Sequence, residues 1–425
     1  MRKKIFLTLI TLFILIPAVL YGIFWVYLES SRPEDKLVFR IENTLNSRAE
    51  IRKIKLNPLS LFFFIEIKGL SLNRKDHYSK EKILPDERPP LQNPQFYFEH
   101  LKINLDFFDF FKNKVSFTKL KAKGAKIQFS ISEGFPEILK PAKTNQDSEH
   151  SVLPLQVSHI QDIQLKDSSI VLETGYRDRF LYFSDTELFF HEIHLDTNHL
   201  DSKNSLLFEF HADLKISEKN KEKNAGILLN SLIKMDPFLN PETLKINPSF
   251  SSDLTVKKNS HFTNPFYMES ISQNDSVKKT MDLGFLLRKD SLRENSSLPV
   301  IFQYGKIILK EKSVLHFSNY SLTLHEGSFI MYNGSQHKLN GRLQINRRIS
   351  RRIFTEIDKK AFDEIRKRKI IMKPEDLRKS LLEKHLDQGE IIIDFESTGD
   401  IEKSAVRLMP PIPSWNTAFH SAKNK

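Results

Sequence analysis

The chain has 425 residues, 40% of them hydrophobic and 28% charged, a composition that builds a core and still leaves wide contact with water. It contains no cysteine, which excludes disulfides, thiolate metal sites and cysteine redox chemistry. Its 65 basic and 53 acidic residues leave a net charge of +12, and the segment from Arg342 to Lys379, with 14 basic and six acidic residues, holds +8 of that excess.

The 24 residues from Ile5 to Leu28 carry no charge and follow Arg2, Lys3 and Lys4. As a helix they would reach ~36 Å, enough to cross a ~30 Å hydrocarbon core. A cleaved secretory signal would have a shorter apolar region and a small-x-small site, and neither is found before Glu29. Residues 1–28 are therefore expected to form a cytoplasmic stub and an anchor in which Ile5, Leu9, Phe13, Leu20, Trp25 and Leu28 meet lipid. The positive-inside bias places the remaining ~400 residues across the membrane.

Residues 29–72 read as a short amphipathic helix opened by Pro33, Glu34 and Asp35, then two strands joined at Asn57-Pro58, the second closing on Gly69-Leu70-Ser71-Leu72. This opening resembles that of AsmA-like proteins, including the type II secretion system protein N (GspN) family. The resemblance implies an inner-membrane-anchored periplasmic protein whose long, twisted antiparallel sheet forms an apolar groove, in a family whose larger members are implicated in phospholipid movement. It supplies no catalytic motif and carries over no functional residue.

Residues 73–345 read as a repeated-strand region with irregular insertions at 73–95 and 217–280, the latter holding a short apolar segment from Ile227 to Ile233. The clearest strand runs from Leu206 to Ile216, six apolar residues in strict alternation with Glu209, His211, Asp213 and Lys215 on the other face. The same alternation recurs at Met281–Leu287, Leu339–Ile345 and Ile391–Phe395. Such a dry face either packs as an ordinary core or lines a groove. On the groove reading Leu206, Phe208, Phe210, Leu214, Leu283, Phe285, Ile391 and Ile393 line it.

Residues 346–389 read as basic amphipathic helices. Ile349, Ile353, Ile357, Ala361 and Ile365 form an apolar stripe, and Arg347, Arg348, Arg351, Arg352, Lys359 and Lys360 are candidates for an anionic surface. The bland alternative packs the stripe on a sheet edge and leaves the charges in water. Residues 390–425 read as a final strand and a Pro-rich tail.

No phosphate-binding glycine loop, nucleophile elbow or H-E-x-x-H pattern is present, and His191, His194 and His199 have poor spacing for a metal on a strand. The sequence thus predicts a mainly β, non-enzymatic protein without cofactor, tethered to the inner membrane and acting in envelope lipid handling or membrane maintenance. The alternative is a structural accessory of a type II secretion system. Expected partners are the inner membrane, phospholipid, and envelope or secretion subunits or a second copy of the chain; nucleic acid is not among them, because the basic segment falls outside the cytoplasm.

Overall fold

The computed structural model describes residues 32–55, 64–81, 83–105, 114–130, 156–194, 206–218, 221–236, 249–262, 266–283, 290–401 and 403–423. The apolar run with Ile5, Leu9, Phe13, Leu20, Trp25 and Leu28 lies outside them, as does Phe285. Among the described residues no helix is long and apolar enough to cross a membrane. The chain is mainly β, and its contacts divide it into two compact units, residues 1–171 with 191–199, and residues 172–190 with 200–425.

In the first unit Pro33 occupies the opening turn of α1 (Pro33–Thr44), where its missing N–H costs nothing and Glu34 and Asp35 face the positive end of the helix dipole. An antiparallel meander follows: β1 (Ser47–Lys55), β2 (Phe64–Arg74), β3 (Phe96–Leu105) and β4 (Lys114–Ser130), paired in chain order. Between β2 and β3 lie one helical turn, α2 (His77–Lys80), and a 3-10 turn over Pro85–Glu87, within the insertion expected at 73–95. Carboxylates of α1 cap amides of β1: Glu34 Oε1 accepts from Ile54 N at 2.9 Å and Glu42 Oε1 from Ala49 N at 3.0 Å. Donors on a strand edge are thereby used within the unit rather than offered to another chain.

The next strands are β5 (Gln156–Glu173) and β6 (Arg179–His194). The second unit continues with β7 (Leu206–Glu218), β8 (Lys221–Asp236), β9 (Ser249–Val256) and the two-residue β10 (His261–Phe262), then helices α3 (Phe266–Gln273) and α4 (Asp275–Thr280). Short strands follow: β11 (Asp290–Ser291), β12 (Ser296–Gln303), β13 (Lys306–Leu309), β14 (Ser313–His316), β15 (Tyr320–Leu324), β16 (Phe329–Met331) and β17 (His337–Ile345). The carboxy-terminal part comprises α5 (Arg347–Arg368), α6 (Pro374–Leu382), β18 (Leu386–Asp387), β19 (Glu390–Asp400), β20 (Lys403–Leu408) and α7 (Trp415–Lys423).

Antiparallel pairing runs β7–β8–β9–β12–β13–β16–β17–β19–β20, with β15 beside β16 on the same edge of β17. Three expectations are corrected here. The described residues of the stretch 217–280 are largely regular: they supply β8, β9, β10, α3 and α4, and Ile227–Ile233 belongs to β8. Its strands hide from a hydrophobicity pattern because serines, Ser231 and Ser252, hold positions on their buried face. Met281 and Leu283 lie in no strand; Met281 is extended at the end of α4, so alternate side chains still turn toward the core without a ladder. The tail after β19 adds β20 and α7.

Candidate apolar binding face

Residues directly opposite in an antiparallel ladder share a face, so the registers of the second unit trace one surface across many strands. Phe208 pairs with Ile233, Ile233 with Leu254 and Leu254 with Leu298. One rung away, Phe210 leads to Ser231, Val256 and Ser296. Phe250 leads to Phe302, Ile307, Ile330 and His337. From His337 the same face continues through Leu339, Gly341, Leu343 and Ile345 to Ile391, Ile393, Phe395 and Ser397, and on to Leu408. The alternation seen in four separate stretches of sequence therefore includes three that belong to a single dry face.

Its two ends differ. At the carboxy-terminal end Leu343, Ile345, Ile391, Ile393 and Phe395 are sealed in one core with Ile353, Ile357 and Ala361 of α5 and Leu377 and Leu381 of α6. Gly341 permits the closest packing there, since a Cβ would sit 2.9 Å from the Phe395 ring. At the other end burial is mixed: Ser231, Ser252, Val256 and Ser296 are buried, Val256 within the same core, whereas Phe208, Phe210, Ile233, Phe250, Phe302 and Ile307 retain partial exposure. Aromatic contacts dominate it. Phe190 meets Phe208 with ring centroids 5.1 Å apart, Phe183 meets Phe210 edge-on at 5.7 Å, and Phe250 stacks on Phe302 at 4.8 Å. Phe183 and Phe190 are seven residues apart, an odd spacing that would place them on opposite faces; the left-handed Asp185 (φ 48°) between them marks the break in alternation.

The groove candidates therefore divide. Phe208, Phe210 and Leu214 lie on the half-buried end. Leu283, Ile391 and Ile393 do not line an open surface, because all three are fully buried in the core that also holds the apolar stripe of α5. The side chain of Leu206 and all of Phe285 fall outside the described residues. Sequence reading missed Phe183, Phe190, Phe250, Ile233 and Phe302, although the abundance of phenylalanine, 34 in all, was the available signal.

The cationic helix α5 packs its stripe on the sheet face rather than along a sheet edge. Asn346 caps it, its Oδ1 accepting from Ile349 N at 3.0 Å. Ser350 pins it to the strands, donating to Ile345 O and accepting from Ile391 N, each at 3.0 Å. Ile345 and Ile391 are register partners, so this one hydroxyl ties the helix to both β17 and β19. Arg347, Arg348, Arg351, Arg352 and Lys359 are exposed and Lys360 is half-buried. Arg352 reaches Glu356, whereas the other five pair with no carboxylate among the described residues. Arg378 of α6 clamps Asp358 and lies 4.9 Å from the centre of the Phe354 ring.

Two buried imidazoles complete the unit. His337 Nε2 lies 2.8 Å from Ser397 Oγ, and His385 Nδ1 donates to Ile392 O at 3.1 Å. Burial pushes both below the ordinary histidine range. No cluster of His, Asp and Glu spaced for a metal occurs among the described residues; the side chains of His191 and His194, and all of His199, lie outside them.

No family model, curated protein or solved structure matches the chain.

Proposed function

We propose that the second unit holds the acyl chains of a lipid against the half-buried end of its dry face, in a non-enzymatic protein of the bacterial envelope. The observation that carries this reading is the single register-matched apolar face running from β7 to β20, sealed by helices at one end and aromatic and partly exposed at the other. Along its interior the backbone donors and acceptors are used in the ladders, so the face offers apolar side chains and leaves a peptide backbone without partners. Alkyl chains need none, and each CH2 taken out of water contributes ~0.8 kcal/mol. The uncharged run at Ile5–Leu28 and the AsmA-like opening are consistent with an inner-membrane anchor and a periplasmic sheet that receives lipid from that membrane.

Lipid extraction and mass spectrometry of the full chain purified in detergent tests this. Phospholipid is expected to co-purify, and to be lost from Phe208→Asp and Phe210→Asp variants that keep the wild-type far-UV spectrum. A lipid-free wild-type chain, or retention of lipid by both folded variants, overturns the reading.

A further inference from the structure

The corner where α5 meets α6 has a second character that the dry face does not explain. Helix α5 ends at Lys369 in a left-handed conformation, with Lys369 N donating to Arg366 O and Ile370 N to Ile365 O. This closing motif turns the chain sharply outward. The connector is Lys369-Ile370-Ile371-Met372-Lys373; Ile370 and Met372 pack toward the core, and Ile371 between them is completely exposed. Two turns back along α5, Phe362 is 56% exposed. At 100° per residue it shares the outward face of the helix with Arg348, Lys359 and Arg366.

Single exposed apolar residues need no explanation. Here, however, Ile371 stands inside a field of cations, and Phe362 lies beside Lys359 as well as Asp358 and Asp363. From Arg366 to Lys373 there are five basic residues and no acidic one. Lys367 and Arg368 contact Glu364, and Arg368 also donates to Asn416. Arg366, Lys369 and Lys373 pair with no carboxylate among the described residues.

We infer that this corner is a bilayer contact: Ile371 and Phe362 enter the headgroup layer of an anionic membrane while Arg366, Lys369 and Lys373 meet lipid phosphates. Apolar residues bracketed by long basic side chains match the two layers of such a surface, acyl boundary beneath and anionic headgroups above. Neither a polyanion nor a charged peptide would give Ile371 an apolar destination. The contact is formed by α5 and its connector, not by the half-buried face of β7 to β12, so it is independent of the acyl-chain reading and fails separately from it.

The absence of native cysteine makes a direct test clean. The full chain, held in phosphatidylcholine nanodiscs and carrying a polarity-sensitive dye on Ile371→Cys, is mixed with vesicles of phosphatidylcholine alone or with about one-third phosphatidylglycerol. The dye is expected to shift blue and become shielded from iodide with the anionic vesicles only, and to revert in ~0.5 M salt. A dye on Glu311→Cys, in the exposed turn between β13 and β14, is expected to stay aqueous. Neutralising Arg366, Lys369 and Lys373 to Gln should weaken the response by roughly fivefold per residue, ~100-fold together. An equal response to both vesicles, no response at all, or tighter protection by a duplex oligonucleotide than by anionic vesicles overturns the inference; the salt and lipid comparisons need only the Ile371-labelled chain, altered at a fully exposed position, and none of the charge variants.

Discussion

Arg88 and Glu42 meet at 2.6 Å with side chains only 2% and 3% exposed, an ion pair in the interior of the first unit that joins α1 to the segment preceding β3. Glu42 Oε1 also accepts from Ala49 N, so one carboxylate oxygen holds both the helix-to-strand contact and the arginine. Removing one partner of a buried pair strands the other charge, which costs about 3–5 kcal/mol. Arg88→Met is expected to abolish amide-exchange protection over residues 33–55 while leaving that of residues 391–400 unchanged, and Glu42→Gln added to it should recover most of the loss. Equal protection in wild type and Arg88→Met would show that the pair contributes nothing.

Buried serines in the second unit divide by whether their hydroxyls are used. Ser350 both donates and accepts between α5 and the β17–β19 pair, and Ser350→Ala leaves the Ile391 amide unpaired. That variant should lose about 1–3 kcal/mol in urea unfolding. Ser231 and Ser252 are equally buried, yet their hydroxyls have no partner among the described residues. Ser231→Ala and Ser252→Ala remove an unsatisfied group and are expected to be neutral or stabilising by up to about 1 kcal/mol.

Those same serines explain why half of the dry face was illegible beforehand. The strand from Leu206 to Ile216 declares itself because every second residue is apolar, and α5 does so because Ile349, Ile353, Ile357, Ala361 and Ile365 repeat at helical spacing. In β8 and β9 the face positions read Ser231, Ile233, Ser252, Leu254, and a serine counts as polar even where cross-strand neighbours bury it. Pattern alone equally could not tell that Ile391 and Ile393 lie beneath a helix whereas Phe208 does not; identical alternation serves both ends, and only the docking of α5 separates core from candidate site. Phe183 and Phe190 escaped because Asp185 takes a left-handed conformation that no periodicity announces.

Histidines His337 and His385 give the second unit a pH dependence whose sign follows from their burial. Both folded-state values are lowered, with the nearby carboxylates Asp400 and Asp394 opposing only in part. The unfolded chain therefore takes up protons first, and stability fully present above pH ~6.5 is lost as pH falls below it, by up to about 1.4 kcal/mol per pH unit for each imidazole. Melting followed by circular dichroism should show Tm falling between about pH 6.5 and 5. His337→Gln with His385→Gln should flatten that slope while lowering Tm at neutral pH; an unchanged slope would assign the effect to other groups.

Lys369 separates stability from the proposed membrane contact. Its backbone sits at φ 53° and ψ 39°, where an L side chain costs roughly 1–2 kcal/mol and glycine does not. Glycine also loses more chain freedom on folding, by about 0.4–1 kcal/mol, so Lys369→Gly should gain a net ~0.5–1 kcal/mol. Yet the substitution removes one of the three cations proposed to meet lipid phosphates beside Ile371. The expected result is a chain with a higher unfolding midpoint and a roughly fivefold weaker response of the Ile371-linked dye to anionic vesicles. A variant that unfolds later and responds to vesicles as the wild type does would remove Lys369 from the contact while leaving its backbone strain established.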